Sequence, residues 1–242
     1  METNNKVLFI VSGILSISAG VIATICFLFL GKIFGYPEII RETPQVILGK
    51  LYETRNLVPY LYYIGVGGAG ICIFFLSLLL RKIFQLAGDD IWGYLGQYCG
   101  MVVGICLYAG IIRYTFLFPF LARLRAEGIY DPKTIDLVFE AFNTYVGESI
   151  AEHVQFTFMF FWLLFFSIAI LKTRIINKWI AVLGVVLSIV IFYGNLELFG
   201  APGAFLANRQ GSDFVALWAV ALGVNLIWAR NTKPECATIR KA

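Results

Sequence analysis

Val7–Leu30 reads VLFIVSGILSISAGVIATICFLFL, 24 residues without a charge. At about 1.5 Å of rise per residue, such a helix outreaches the roughly 30 Å of a bilayer's hydrocarbon. The stretch is too long for the apolar region of a cleaved leader, and no small-x-small cleavage site precedes Lys32. It reads as a retained span. Five more segments follow: Asn56–Leu80 (25 residues), Ile91–Ile112 (22), Val154–Leu171 (18), Trp179–Leu196 (18) and Phe214–Ala229 (16). The third continues apolar to Ala122 with Arg113 as its only charge. Barrel strands would be short and alternate apolar with polar, whereas each of these runs is continuously apolar.

The composition agrees. Of 242 residues, 60% are hydrophobic and only 14% charged, with a mean hydropathy of +0.81, against about 25% charged in an average globular chain. This excludes a disordered chain, a basic nucleic-acid-binding domain and an ordinary soluble enzyme. The predicted fold is all-α: a polytopic integral membrane helix bundle, with short amphipathic helices in the outer loops. One domain, 1–242, holds six transmembrane helices at about 7–30, 57–80, 91–118, 150–171, 178–199 and 213–230.

Six spans put both termini on one side of the membrane. That side carries ten basic residues, including Arg81, Lys82, Lys172, Arg174 and Lys178, against four acids: Glu2, Asp89, Asp90 and Glu235. Short basic turns stay cytoplasmic, so the termini are predicted to be cytoplasmic. Trp92, Trp179 and Trp228 fall at the same level, where an interfacial aromatic belt is expected. Lys233, Arg240 and Lys241 in the tail are too few for a polybasic lipid-binding patch. No cysteine lies in an outer loop and no Asn-x-Ser/Thr sequon occurs, in keeping with a bacterial protein.

The outer loops are longer. Thr43-Pro44 is a helix-start signal, and a short helix is expected through Tyr52. Asp131 caps and Pro132 starts a second helix, with Ile135, Val138, Phe139, Phe142 and Val146 recurring on one face. This helix reads either as a connector lying on the outer surface or as a lid over a site. Only Gly147 separates it from the fourth span.

Spans associate in lipid through small residues. Ser12, Ser16, Ala19, Gly20 and Ala23 form a stripe in the first. Gly65, Gly67, Gly68 and Gly70 lie in the second, and Gly96, Gly100 and Gly104 in the third. These three helices are expected to pack tightest, and such faces can also meet a second copy or a membrane partner. Gly65–Gly70 also fits G-x-G-x-x-G. That fingerprint needs a preceding strand, and here it sits within an apolar span, so nucleotide binding is rejected.

An ionisable group at bilayer depth costs roughly 2.5–3.5 kcal/mol on insertion scales, so it normally faces protein or water. Arg113, Glu148, Glu152, His153, Asn195, Glu197 and Asp213 all map to the outer third. The alternating span direction brings them level, and an outward-facing polar pocket is expected, with Arg113 paired to Glu152 or Glu197. The competing readings are local. Glu148 and Asp213 would be helix-start acids, Arg113 would snorkel to headgroups, and His153 would be an interfacial histidine. Gln97 and Asn225, in the inner half, are expected to bond between helices.

One histidine excludes bis-histidine haem ligation within the chain. No lysine lies inside a span to form a retinal-type Schiff base, and no P-loop or H-E-x-x-H run occurs. Ser149 precedes His153 by one turn without any elbow or oxyanion motif. No cofactor, metal or catalytic residue is assigned.

The run Asn177-Lys178-Trp179-Ile180-Ala181-Val182-Leu183-Gly184 resembles the Pro-Arg-Trp-Leu segment, ending in Leu-Gly, of the bacterial membrane family called "domain of unknown function 4386". Asn177 stands where that family has proline. Leu217-Trp218 through Leu222-Gly223 is similar to its closing helix. The resemblance implies six spans and a bacterial inner membrane, and no catalytic residue. The leading functional expectation is a non-enzymatic membrane protein that binds, senses or passes a small polar solute, with Arg113, Glu148, Glu152, His153, Asn195 and Glu197 at the site. The alternatives are an intramembrane enzyme using Glu152 and His153 as acid and base, and a subunit or scaffold.

Overall fold

The computed structural model describes residues 3–230. Lys233, Arg240 and Lys241, Glu2, Glu235 and Cys236 lie outside the described residues. Six helices are long and apolar enough to cross a membrane: α1 (Thr3–Phe34), α3 (Val58–Leu86), α4 (Trp92–Ala126), α5 (Pro132–Thr173), α6 (Lys178–Phe199) and α7 (Ala204–Ala229). A shorter α2 (Pro44–Glu53) lies between α1 and α3. No strand occurs among the described residues, and the chain is an all-α helical bundle of membrane type.

Each long helix packs against its neighbour in sequence, and α7 closes the ring against α1. The closure rests on small residues. Gly223 of α7 lies so near α1 that a Cβ would fall 2.5 Å from the Gly13 carbonyl oxygen, and Gly20 abuts the Ala216 backbone. Ser16 Oγ donates to the Ala219 carbonyl at 2.6 Å. Gly70 and Gly104 bring α3 and α4 together in the same way. The small-residue stripes therefore meet helices of the same chain, but not as one trio: α1 packs against α7 and α3, with Gly65 of α3 against Cys26, while the α4 glycines meet α3 and α5.

Inside the ring, Trp162 is fully buried. Its indole N–H donates to Ser77 Oγ at 3.0 Å, and its ring meets Trp218 edge-on at 5.8 Å. Trp218 in turn donates to the Ile180 carbonyl. Gln97 and Asn225 differ from expectation. Gln97 reaches Met101 and Asn225 donates to the Ala221 carbonyl, each four residues along its own helix. An amide in an apolar setting takes the nearest acceptor, and one turn away along the same helix is nearer than the next helix.

At the end with short basic turns, buried Asp89 accepts from the Gly93 N–H at 2.7 Å and from Lys172 Nζ at 3.4 Å. One carboxylate thus caps the start of α4 and ties it to the end of α5. Trp179 and Trp228 are largely exposed on the bundle's outside, as side chains of an interfacial belt would be.

At the opposite, long-loop end the helices outgrow a bilayer. α4 has 35 residues and α5 has 42, about 50 and 60 Å respectively. Their surplus length builds a second core. Ile47, Leu48 and Leu51 of α2 pack with Phe118, Leu121, Ile135 and Phe139. Asp131 caps α5, its Oδ2 accepting from the Thr134 N–H at 3.0 Å, and α2 begins with Pro44 in its first turn. The segment from Pro132 is continuous with the fourth span, Gly147 included, and Ile135 and Phe139 anchor it inward. It is neither a free surface connector nor a detached lid.

Candidate functional site

Three of the long helices change pitch at this end. α3 is π-helical over Leu61–Gly67, α4 over Arg113–Leu117 and α5 over Asn143–Val154. In α4 the cause is legible: Pro119 has no N–H to offer the carbonyl of Thr115, so the ladder widens just before it. π-Turns are rare and cluster at functional sites. Here they carry Tyr62, Arg113, Tyr114, Asn143, Glu148 and Glu152.

Arg113 lies about 30 Å along α4 from Trp92, near the far boundary of the hydrocarbon. It is 9% exposed. Its Nη1 donates to the Gly110 carbonyl, and its guanidinium lies 5.0 Å from the centre of the Tyr114 ring and 5.8 Å from that of Phe118. Gly147 of α5 makes the room: a Cβ there would stand 2.6 Å from Nη2. Tyr114 stacks on Tyr62 at 4.4 Å, and Phe34 meets both rings edge-on. Arg113 Nε and the hydroxyls of Tyr62 and Tyr114 are buried without a partner, three of the five such atoms among the described residues. Each such group costs about 1–3 kcal/mol, so the orphaned polarity is concentrated in one cluster.

Beside it opens a cavity of about 240 Å³ lined by Ile40, Arg41, Arg113, Asn143, Glu148 and Glu152. Arg113 forms no ion pair with any carboxylate of the described residues, and Glu152 none with any cation. The expected Arg113 pairing with Glu152 or Glu197 is therefore not made. Glu197 is taken by Arg41 at 2.9 Å and by Asn208 Nδ2 at 2.9 Å. Glu148 receives only the Asn143 amide, at 3.4 Å.

Of the six residues expected at the site, Arg113, Glu148 and Glu152 line one space, and Glu197 holds its rim through Arg41. Asn195 and His153 do not line it. Asn195 Nδ2 donates to Thr157 Oγ1 at 2.8 Å and to the His153 carbonyl at 3.3 Å, which joins α6 to α5. The His153 ring meets Phe199, centres 6.2 Å apart, so Glu152 and His153 do not converge as an acid–base pair. Ser149 Oγ donates to the Thr144 carbonyl rather than to His153. Asp213 is exposed. Gln155, further along α5, is buried against Met159 and does not line the cavity. Among the described residues, no group of three His, Cys, Asp or Glu side chains is placed to hold a metal.

Arg41 escaped the sequence reading. It sits in a 3₁₀ turn, Glu38–Arg41, that covers the cavity. Two ion pairs fasten this turn across the bundle, Arg41–Glu197 at 2.9 Å and Arg209–Glu38 at 2.8 Å, and Arg41 also lies over the Phe205 ring. The only hint in sequence is the charge pair Arg41-Glu42 following the apolar Ile39-Ile40. Nearby, burial, followed by the Glu152 and Asp213 carboxylates, pushes the Tyr36 phenol above its ordinary range. Tyr36 is therefore a neutral donor at any physiological pH.

No curated protein and no solved structure matches the chain. One family does, and its match runs from residue 7 to residue 229, across all six long helices and every residue lining the cavity. The chain belongs to the family described as Domain of unknown function (DUF4386).

Proposed function

We propose that this is a multi-pass protein of a bacterial inner membrane, termini cytoplasmic, whose external cavity binds a small polar solute that it senses or passes. The basic turns Arg81–Asp90 and Lys172–Lys178 support the orientation through the positive-inside rule. It sets the long-loop end, and with it the cavity, on the external face. One observation carries the binding reading: Arg113 and Glu152 line the same cavity and do not neutralise each other. A purely structural ion-pair network would close that distance.

The test uses the purified full-length protein in nanodiscs, melted against a panel of small polar metabolites. Wild type is stabilised by some members of the panel, while Arg113→Gln inserts and melts cooperatively but loses the shift. If nothing in the panel shifts the wild type, and Arg113→Gln and Glu152→Gln only lower abundance, the residues are structural and the reading fails. Reporter fusions test the orientation separately: a periplasmic Arg81–Asp90 turn would invert it.

A further inference from the structure

We infer that the occupant of this cavity is a compact zwitterion, a molecule with one anionic group and one ammonium a few atoms apart. The inference rests on the binding reading above and narrows it to a ligand class.

The argument is one of charge and reach. The cavity is lined by two guanidiniums and two carboxylates. Arg41 is already neutralised by Glu197. That leaves Arg113 as the unpaired cation, facing the carboxylates of Glu148 and Glu152. Opposite charges just beyond ion-pair distance attract by up to about 4 kcal/mol at an effective dielectric of 20, so a mobile pair would collapse. Arg113 is not mobile. The Gly110 carbonyl, the Tyr114 and Phe118 rings and the close backbone at Gly147 hold it on the sides away from the cavity.

Each alternative ligand class leaves a charge opposed. A simple anion would satisfy Arg113 and meet the repulsion of Glu148 and Glu152. A simple cation would do the reverse. A neutral polyol would compensate neither. A zwitterion places its acid group on Arg113 and its ammonium between the two glutamates, and Asn143 can serve either end. Size agrees: about 240 Å³ holds about eight waters at roughly 30 Å³ each, the scale of a small amino acid. The same chemistry exists as the ethanolamine headgroup of a phospholipid.

The experiment distinguishes these sources. Full-length protein is placed in phosphatidylglycerol nanodiscs and melted with free amino acids, with phosphoethanolamine, and with three controls. Propionate is L-alanine without its ammonium, ethylamine is L-alanine without its carboxylate, and glycerol carries no charge. A parallel set of nanodiscs contains phosphatidylethanolamine.

Stabilisation by an amino acid, at least about tenfold more potent than by the one-charge controls, supports a free solute. Stabilisation by phosphoethanolamine or by the ethanolamine lipid supports the headgroup. In either case Glu152→Gln shifts preference toward propionate and Arg113→Gln shifts it toward ethylamine, a reciprocal change that general loss of stability would not produce. If propionate, ethylamine or glycerol matches the zwitterions, the ligand class is wrong and the cavity reading survives. If no probe in either nanodisc acts, while other members of the metabolite panel do, the class is again overturned. Silence from every compound overturns both.

Discussion

The guanidinium of Arg113 occupies the space that a side chain at Gly147 would fill, with Nη2 2.6 Å and Cζ 2.8 Å from where a Cβ would stand. A glycine on one helix thus determines where a buried charge on another can sit. Gly147→Ala should force Arg113 out of its niche and destabilise the protein by about 1–3 kcal/mol. Arg113→Ala/Gly147→Ala should cost less than the two single changes added together, because the first removes the obstacle to the second. Thermal unfolding of the three variants in detergent measures the coupling, and strict additivity would show that the two do not compete for space.

Glycines elsewhere divide into two kinds. Gly223 faces the Gly13 backbone, which cannot move aside, whereas nothing lies within 4 Å of a Cβ at Gly49 in α2. Gly223→Ala should separate α1 from α7 and lower the melting temperature. Gly49→Ala should be neutral or stabilise by about 0.5–1 kcal/mol through helix propensity. Equal effects of the two would contradict the backbone contact at Gly223.

The cover over the cavity is held by surface ion pairs. Arg41 and Glu197 have side-chain exposures of 46% and 25%, and such pairs contribute about 0–1 kcal/mol. Arg41→Ala should therefore change global stability by less than about 1 kcal/mol, and the difference should shrink at high salt. Its larger effect should be on the cover itself. Hydrogen exchange at Glu38–Arg41 should accelerate, and unchanged protection there would mean that other contacts hold the turn.

Tyr36 gives a pH signature. Its phenol titrates higher in the folded chain, because of burial first and then the Glu152 and Asp213 carboxylates, than in the unfolded chain, where about 10 is usual. Above that value the unfolded chain releases a proton that the folded chain keeps. The stabilisation is therefore fully present below about pH 10 and is lost as pH rises toward the folded value. Melting curves at pH 8 and pH 10.5 should fall less steeply with pH in Tyr36→Phe than in wild type. A parallel fall in both would assign the alkaline loss to other groups.

The long apolar runs were legible in the sequence because hydropathy is a local sum. The helix from Asp131 was legible for the same reason, since its cap, its proline and its Ile135–Phe139 spacing are neighbours in the chain. The site was legible only in part. Arg113, Glu148 and Glu152 stand out as charges beside apolar runs and do line one cavity. Arg41 lies in a loop and carried no such signal. His153 and Asn195 share the same depth but point elsewhere, because depth follows from sequence position and azimuth does not.

What the sequence determined by itself, then, was six apolar helices and the level at which their polar residues fall, both set by the free energy of placing each residue in lipid or water. Tertiary structure alone decided which charges pair. The Glu38–Arg41 turn crosses the bundle to claim Glu197, and wide π-turns rotate Glu148 and Glu152 toward a guanidinium that Gly147 admits. An ion pair depends on a few ångströms between residues far apart in the chain, and no local sum contains that distance.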